Sequence, residues 1–378
     1  MKKNILSLIV LSTLGVDAIE TNSYEFNGYL RGTYHTHDIK NDKKYQDDAV
    51  GGKLHFQTPS YEGLSVGTSL YFTTKVFHGD NGDLIPLRGE YEESYAILGE
   101  VYLEGEFGET RLKIGRQELN TPFADMDDIG MVPNTFEAVT LVNNDIKDTE
   151  IFLGQIHKMS GVGAEVVDKF TRINGSQNMQ VLGVSYEGIE NLGLSAWYNR
   201  LKDAEVNGMA YFESIYENSF ENYVYGLGLQ YANQSYLVGE DAEVLGLKVD
   251  AGLKSLGVLV SCAYNKINNN VANSGFGGGP FFAGSEFLVV DNAGKNATAR
   301  SVGLEYDVST LGLKDLTLGV GKMYIETESK TKAREFDFLA SYKVNDKLFI
   351  DMVYADLKAA NVGVVDAEHL HVYVNYNF

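Results

Sequence analysis

Ten charged residues hold most of the chemistry available to this sequence, and none of it is covalent. Arg31, Lys53, Lys75, Arg111 and Lys113 fall on the polar side of alternating stretches in the first third of the chain, and Lys248 is a sixth of the same kind. Arg116, Asp125, Asp127 and Asp128 lie together in one long segment, Gly115–Ala138, which reads GRQELNTPFADMDDIGMVPNTFEA. A row of like charges along a low-dielectric wall focuses a field that guides anions, or the carboxylate of an amino acid. Acids facing that row would cross the passage with a transverse field. A zwitterion would then lie with its carboxylate to the wall and its ammonium to the acids. A plainer reading pairs the cations with Glu25, Glu100 and Glu104, and has one of the aspartates cap its own loop, since Asp accepts backbone N–H bonds readily. Arg116 fits lining and anchoring equally well.

Other chemistry does not assemble. The seven histidines show no paired metal-ligand spacing; His369 and His371 share one face of the last strand, where a lumen position is the simple expectation. No metal and no cofactor are expected. Gly79–Asp83 (GDNGD) lacks the twelfth-position Glu of a Ca²⁺ loop. Gly319–Lys322 (GVGK) has the wrong spacing for a phosphate loop and lies within a strand. No nucleophile elbow appears, so an enzyme is not expected. Cys262 is the lone cysteine, which excludes an internal disulfide.

The elements that must position these charges are strands. In the first, Tyr24, Phe26, Gly28, Leu30, Gly32 and Tyr34 alternate with Glu25, Asn27, Tyr29, Arg31, Thr33 and His35. The same alternation recurs to Phe378. Its stretches reach about ten residues, the length of a tilted membrane-spanning strand. Short turns (Pro59–Gly63, Lys254–Gly257, Asn345–Asp346) alternate with long loops around Asp38–Asp48, Phe77–Glu93, Gly115–Ala138, Lys158–Asn178, Lys202–Asn222 and Ile267–Ala297. Phe107, Tyr186, Tyr306, Tyr342, Tyr376 and Phe378 end the apolar face, as girdle aromatics do. Cys262 falls on that face with Val258, Val260 and Tyr264. In lipid every backbone group must be paired, so such a sheet must close. Even parity asks for eighteen strands, with one near Gln234–Gly239 and a bulge near Gly321 where the alternation slips; sixteen also fits. Gly115–Ala138 carries Phe123, Met126, Ile129, Met131, Val132 and Phe136, so it should pack, and it is expected to fold into the bore and narrow it. The fold class is therefore an all-β, antiparallel, up-and-down transmembrane barrel with a constriction loop over 115–138.

Met1–Ala18 has a basic start, an apolar middle and small residues before Ala18, the form of a secretory signal peptide. Residues 19–378 are then the barrel. Its removal takes the net charge from −21 to −22, which excludes a nucleic-acid binder and suits acidic surface loops bridged to lipopolysaccharide by divalent cations. Monomer and homotrimer fit the apolar face alike. Two rivals remain: a surface adhesin or receptor barrel that only displays loops, and a soluble secreted sandwich.

Three stretches resemble the OprD family of outer-membrane porins: Leu112–Ala138, GGKLHFQTP…GLSVGTSLYF over Gly51–Phe72, and GFGGGPFFAGSEF over Gly275–Phe287. The resemblance covers essentially the whole mature chain. It implies an eighteen-stranded barrel with a narrow bore, uptake of basic amino acids or small carboxylates, and a basic wall ladder facing an acidic infolded loop. Tyr376–Asn377–Phe378 resembles the aromatic C-terminal signal read by the barrel-assembly machinery.

Overall fold

Period-two alternation with an apolar face must find something apolar outside and something polar, or a plug, inside. The computed structural model describes residues 23–42, 44–79, 87–89, 93–358 and 365–378. The expected signal peptide and the GDNGD residues after Gly79 lie outside the described residues. Eighteen spanning strands follow the chain. They are β1 (Glu25–Ile39), β2 (Lys44–Gln57), β3 (Leu64–Gly79), β4 (Tyr95–Phe107), β5 (Thr110–Gln117) and β6 (Thr135–Asn143). Next come β7 (Thr149–Ser160), β8 (Met179–Ile189), β9 (Leu192–Leu201), β10 (Val206–Phe220), β11 (Tyr223–Tyr236) and β12 (Ala242–Leu253). The last six are β13 (Val258–Asn268), β14 (Thr298–Asp307), β15 (Leu316–Glu326), β16 (Lys332–Lys343), β17 (Leu348–Lys358) and β18 (Ala367–Asn377). Each pairs antiparallel with its neighbours in sequence. β1 also pairs with β18, from Tyr29↔Asn377 to Ile39↔Ala367, so the sheet closes on itself. No helix among the described residues is long and apolar enough to cross a membrane; the strands do the crossing.

The outer face is apolar, with Leu227, Leu229, Leu245, Leu247 and Val249 exposed on β11 and β12. Phe107, Tyr186, Tyr342 and Tyr376 are exposed near the short-turn end, and Cys262 is exposed on the same outer face, as the alternation predicts.

Several boundaries differ from the sequence reading. The stretch taken as a long loop over Lys202–Asn222 is mostly strand β10, and no separate strand exists at Gln234–Gly239, where β11 ends at Tyr236. The reason is visible in the burial. Met209, Tyr211 and Ile215 point inward and are buried, with Glu213 the one buried carboxylate among them, so the inner face of β10 is too apolar to reveal its alternation. The same cause explains the slip at Gly321. β15 pairs in unbroken register with β14 and β16, without a bulge, and Met323 and Ile325 face inward into a packed interior. The Asp38–Asp48 loop shrinks to the few residues between Ile39 and Lys44, because β1 and β2 extend together as far as the pair Asp38↔Lys44.

That packed interior is built by two segments that leave the wall at the long-loop end. Residues 269–297 bury Ala283, Leu288, Val290 and Ala293 against the inward Met179, Val244, Ile267, Met323, Ile325 and Leu357. Residues 118–134 lie beside them. The larger apolar cluster occupies the sector from β6 to β17, a smaller one of Ala49, Tyr71, Leu87, Ile97, Met131 and Val132 lies beside β2–β4, and the other buried inner residues of the sector β18–β1–β5 are mostly polar.

Candidate functional site

The segment that leaves the wall runs from 118 to 134, since β5 continues through Gln117 and β6 begins at Thr135. It is pinned at both ends by burial. Phe123 is fully buried edge-on to Tyr211 and Phe281, and Met131 and Val132 are buried with Ala49, Tyr71, Leu87 and Ile97. Its first half is a tight hairpin, in which the Thr121 hydroxyl donates to the Ala124 carbonyl at 2.9 Å. The 269–297 segment docks on that hairpin through backbone bonds: Phe276 N–H donates to Phe123 O at 3.0 Å, and Asp125 N–H donates to Phe276 O at 3.2 Å. Gly275 makes this approach possible. Its φ is +81°, and a Cβ there would lie 2.5 Å from the Phe123 carbonyl oxygen.

Between its anchors the loop presents acids to the polar wall. Arg31 of β1 meets Asp128 in a two-pronged ion pair, Nη1–Oδ1 2.6 Å and Nη2–Oδ2 2.8 Å. Its Nη1 also donates to Gly130 O at 2.6 Å and its Nε to Asn375 Oδ1 at 2.7 Å. The fork geometry of guanidinium suits this role, because two parallel bonds fix orientation as well as charge. Lys53 of β2 sits 2.9 Å from both Glu100 Oε2 and Glu118 Oε1. The Tyr71 hydroxyl donates to the same Glu118 oxygen at 2.5 Å. Lys113 of β5 is 3.0 Å from Glu104 and 4.0 Å from the centre of the Tyr102 ring.

The remaining basic residues are placed differently. Arg111 is half-buried one inward position below Lys113, towards the short-turn end. Lys75 is exposed near the long-loop end of β3. Lys248 lies across the barrel on β12, 3.4 Å from Asp250, and lines a recess under the 269–297 segment with Phe282 and Asp337. Arg116 belongs to the wall, with the outward parity of Ile114, its guanidinium 4.2 Å from the Phe170 ring. The wall strand reaches three residues further than the sequence pattern indicates, through Gly115, Arg116 and Gln117, and this carries Arg116 away from the narrowing. Arg31, Lys53, Arg111 and Lys113 thus face the bore in one sector, while Lys75 sits in that sector nearer the long-loop end, Arg116 faces outward from it and Lys248 lies across the barrel.

The three aspartates split by role. Asp125 Oδ1 accepts from its own loop at Asp127 N (2.9 Å) and from Gly278 N (3.2 Å), so it joins the two infolded segments. Burial raises its pKa, and these backbone donors oppose the rise. Asp128 carries the pair to Arg31. Asp127 sits in the left-handed region at φ 38°. Burial first, then the negative charges of Asp125, Asp128 and Glu286, push its carboxyl up to about 7. The plainer sequence reading therefore describes much of the geometry: Glu100 and Glu104 do pair with the wall cations, joined by Glu118 and Asp128. Glu118, Tyr29, Tyr373 and Asn375 were missed. The last three had a signal, the inward parity of β1 and β18; Glu118 had none beyond following Gln117.

Below the ion pairs lies a cavity of about 360 Å³ lined by Tyr29, Lys53, Glu118, Met126, Asp128 and Phe378, among others. Its lining has one ammonium, two carboxylates and an apolar floor, enough to hold both ends of a small amphipathic ion without covalent chemistry.

The comparisons agree with this architecture. Residues 25–376 match the family model described as "outer membrane porin, OprD family". No curated protein sequence matches. Among solved structures, the chain is similar to OccK9 (OpdG) of Pseudomonas aeruginosa, with a TM-score of 0.81, 19% identity and coverage of 94% of this chain and 98% of that one. It is also similar to a BenF-like porin from Pseudomonas fluorescens Pf-5, with a TM-score of 0.82 at 15% identity over 94% and 99% of the two chains. A third likeness is to OpdK of Pseudomonas aeruginosa, solved with vanillate, with a TM-score of 0.79 at 18% identity over 94% and 98%. With a family match spanning the closed barrel and its infolded segments, this chain belongs to the OprD family and is an outer-membrane porin for small solutes.

Proposed function

We propose that the bore passes small carboxylates, amino acids among them, by passive diffusion, with the Arg31–Asp128 and Lys53–Glu118 pairs as its charge-reading elements. One observation carries this reading: at the narrowing, a wall cation and a loop carboxylate face each other directly, 2.6 Å apart, above a cavity with both charges in its lining. A permeating carboxylate exchanges places with Asp128 on Arg31, while an ammonium group exchanges with Arg31 on Asp128. Neither has to be desolvated without a replacement partner, which is the condition for entry into a low-dielectric constriction. Because the cations are paired, the selectivity of the bore is expected to be modest for simple salts and stronger for ions that fill both positions. The vanillate in OpdK, a small aromatic carboxylate, is in keeping with this class.

Around the channel, we infer that Met1–Ala18 is removed on export and that 115–138, with 118–134 inside the bore, acts as the constriction loop. Phe378 seats the assembly signal at the seam: its N–H donates to Gly28 O at 3.1 Å, and Gly28 N–H donates to its carbonyl at 3.2 Å. The outward Leu227, Leu229, Leu245 and Leu247 suit lipid and a trimer contact alike.

The test is liposome swelling with the refolded chain and solutes matched in size. Zwitterionic amino acids and monocarboxylates should enter faster than neutral sugars of equal size. Equal rates would leave a plain sieve and end the charge-reading proposal.

A further inference from the structure

Four of the seven histidines converge on one point of the inner wall. β1 supplies His35 and His37, β18 supplies His369 and His371, and the strand register sets His35 opposite His371 and His37 opposite His369. Each pair is separated by one residue, so period-two geometry sends all four rings inward. All four are buried, at 1% exposure or less. One ring nitrogen each from His35, His37 and His371 lies within 4.8 Å of the others. Nδ1 of His37 is in direct contact with Nδ1 of His369. We propose that this cluster is a binding site for a borderline divalent transition cation of the Zn²⁺, Ni²⁺ or Cu²⁺ type, ligated by His35, His37 and His371.

The chemistry selects the class of ion. Neutral imidazole suits Zn, Ni and Cu, while Mg²⁺ and Ca²⁺ require several oxygens. Among the described residues a carboxylate approaches His371: Glu286 Oε1, from the 269–297 segment, stands 3.5 Å from its Nδ1. On a bound ion it would serve as the outer-layer carboxylate behind the His371 imidazole, where such a group fixes the tautomer and raises the basicity of the ligand. His371 Nε2 is buried without a hydrogen-bond partner among the described residues, a costly state for a polar nitrogen unless a cation takes its lone pair. The His37–His369 contact requires one ring to donate and the other to accept, so it sets their tautomers in the same way. A tetrahedral site with metal–nitrogen bonds of ~2.05 Å needs ligands ~3.3 Å apart, and a spread within 4.8 Å closes to that by small ring rotations.

Position gives the site a consequence. It ties the first strand to the last at the barrel seam. Phe287 stacks on His369, with centroids 4.0 Å apart, and Glu286 faces His371, so the infolded 269–297 segment rests on the cluster. An ion bound here fastens seam and plug together at the long-loop end of the polar sector.

The experiment uses the untagged full chain, folded in detergent and stripped with chelator, titrated with Cu²⁺ or Ni²⁺ alone. One equivalent should bind, Ca²⁺ should not compete, and the Cu²⁺ EPR spectrum should show splitting from at least three imidazole nitrogens. Glu286→Gln should weaken binding by about 10–100-fold, the range for losing an outer-layer partner. The His35→Gln/His371→Gln double variant should abolish it, and His157→Gln should leave it unchanged. Heat-modifiable gel mobility reports whether each variant is folded. Should the double variant not fold, the wild-type spectrum decides alone. Fewer than three nitrogens, less than one equivalent, or binding that survives in a folded double variant overturns the proposal.

Discussion

Replacing Arg31 by Ala removes the cation that joins wall to loop, and the structure sets the size of the effect. Arg31 makes four polar contacts, two to Asp128 and one each to Gly130 O and Asn375. None is needed by the strand ladder, so the barrel should still close and keep its heat-modifiable mobility. The Asp128 side chain, 30% exposed, is left without its cation. Its charge ~8 Å from a permeating ion is worth ~1 kcal/mol at an effective dielectric of ~40. Screening over a Debye length of ~8 Å at physiological salt reduces that to ~0.4 kcal/mol. The sign is opposite for K⁺ and Cl⁻, so the permeability ratio should move by ~0.8 kcal/mol, about fourfold towards cations. The assay is the reversal potential of single channels in a planar bilayer under a KCl gradient. Arg31→Lys separates charge from geometry: it keeps the cation but loses the fork, so selectivity should stay near wild type while the open-channel current becomes noisier as the loop loosens. A reversal potential that Arg31→Ala leaves unmoved, or moves towards anions, would refute the assignment of this pair to the conduction path.

Three further perturbations test separate parts of the site. Between pH 6 and pH 8, a carboxyl near pKa 7 goes from ~10% to ~90% ionised, so burial and neighbouring charge at Asp127 predict rising cation preference over that window; Asp127→Asn should flatten the pH profile of the reversal potential at its low-pH value. Gly275→Ala places a Cβ 2.5 Å from Phe123 O at φ +81°, costing ~1–2 kcal/mol from the left-handed backbone alone, so the two infolded segments should part and conductance steps should grow. Deletion of Phe378 removes two backbone bonds to Gly28 and the ring contacts with Phe26 and Tyr376, and should lower the yield of folded barrel in outer-membrane fractions while the channels that do form keep wild-type selectivity.

How much of this was legible in sequence depended on what each inner face meets. Where the bore holds water and charge, as along β1, β2 and β5, inward residues are polar, the alternation is plain, and Arg31, Lys53 and Lys113 could be placed by parity. Where the bore is plugged, the inner face turns largely apolar and the code weakens: β10, where Met209, Tyr211 and Ile215 flank a single buried Glu213, and β15 with Met323 and Ile325, read as a loop and a slip. Pairing partners were the other blind spot. The charge row and the aspartates opposite it were visible, but the direct pairing of Asp128 with Arg31 and of Glu118 with Lys53 depends on how the 118–134 segment folds back, which no local pattern encodes. The histidine cluster shows the same limit. Spacing of two on each of two strands 332 residues apart carries no linear metal signature; only closure of the barrel sets the pairs side by side.

Closure therefore matters for more than the absence of an edge. Arg31 and Tyr29 come from the first strand; Asn375 and Tyr373 come from the last, and the Tyr373 hydroxyl donates to Ile129 O of the infolded loop at 2.6 Å. The loop's polar span is thus held by residues from both sides of the seam. A barrel with strands β1 to β17 formed but β18 undocked would keep Lys53 and Lys113 and their carboxylates, yet lose the Asn375 bond to Arg31, the Tyr373 bond to the loop, and half of the histidine cluster. On the proposed reading, selectivity is accordingly a property of the finished cylinder: with the loop's polar span held from both sides of the β1–β18 seam, an unclosed sheet lacks the full set of contacts that define it.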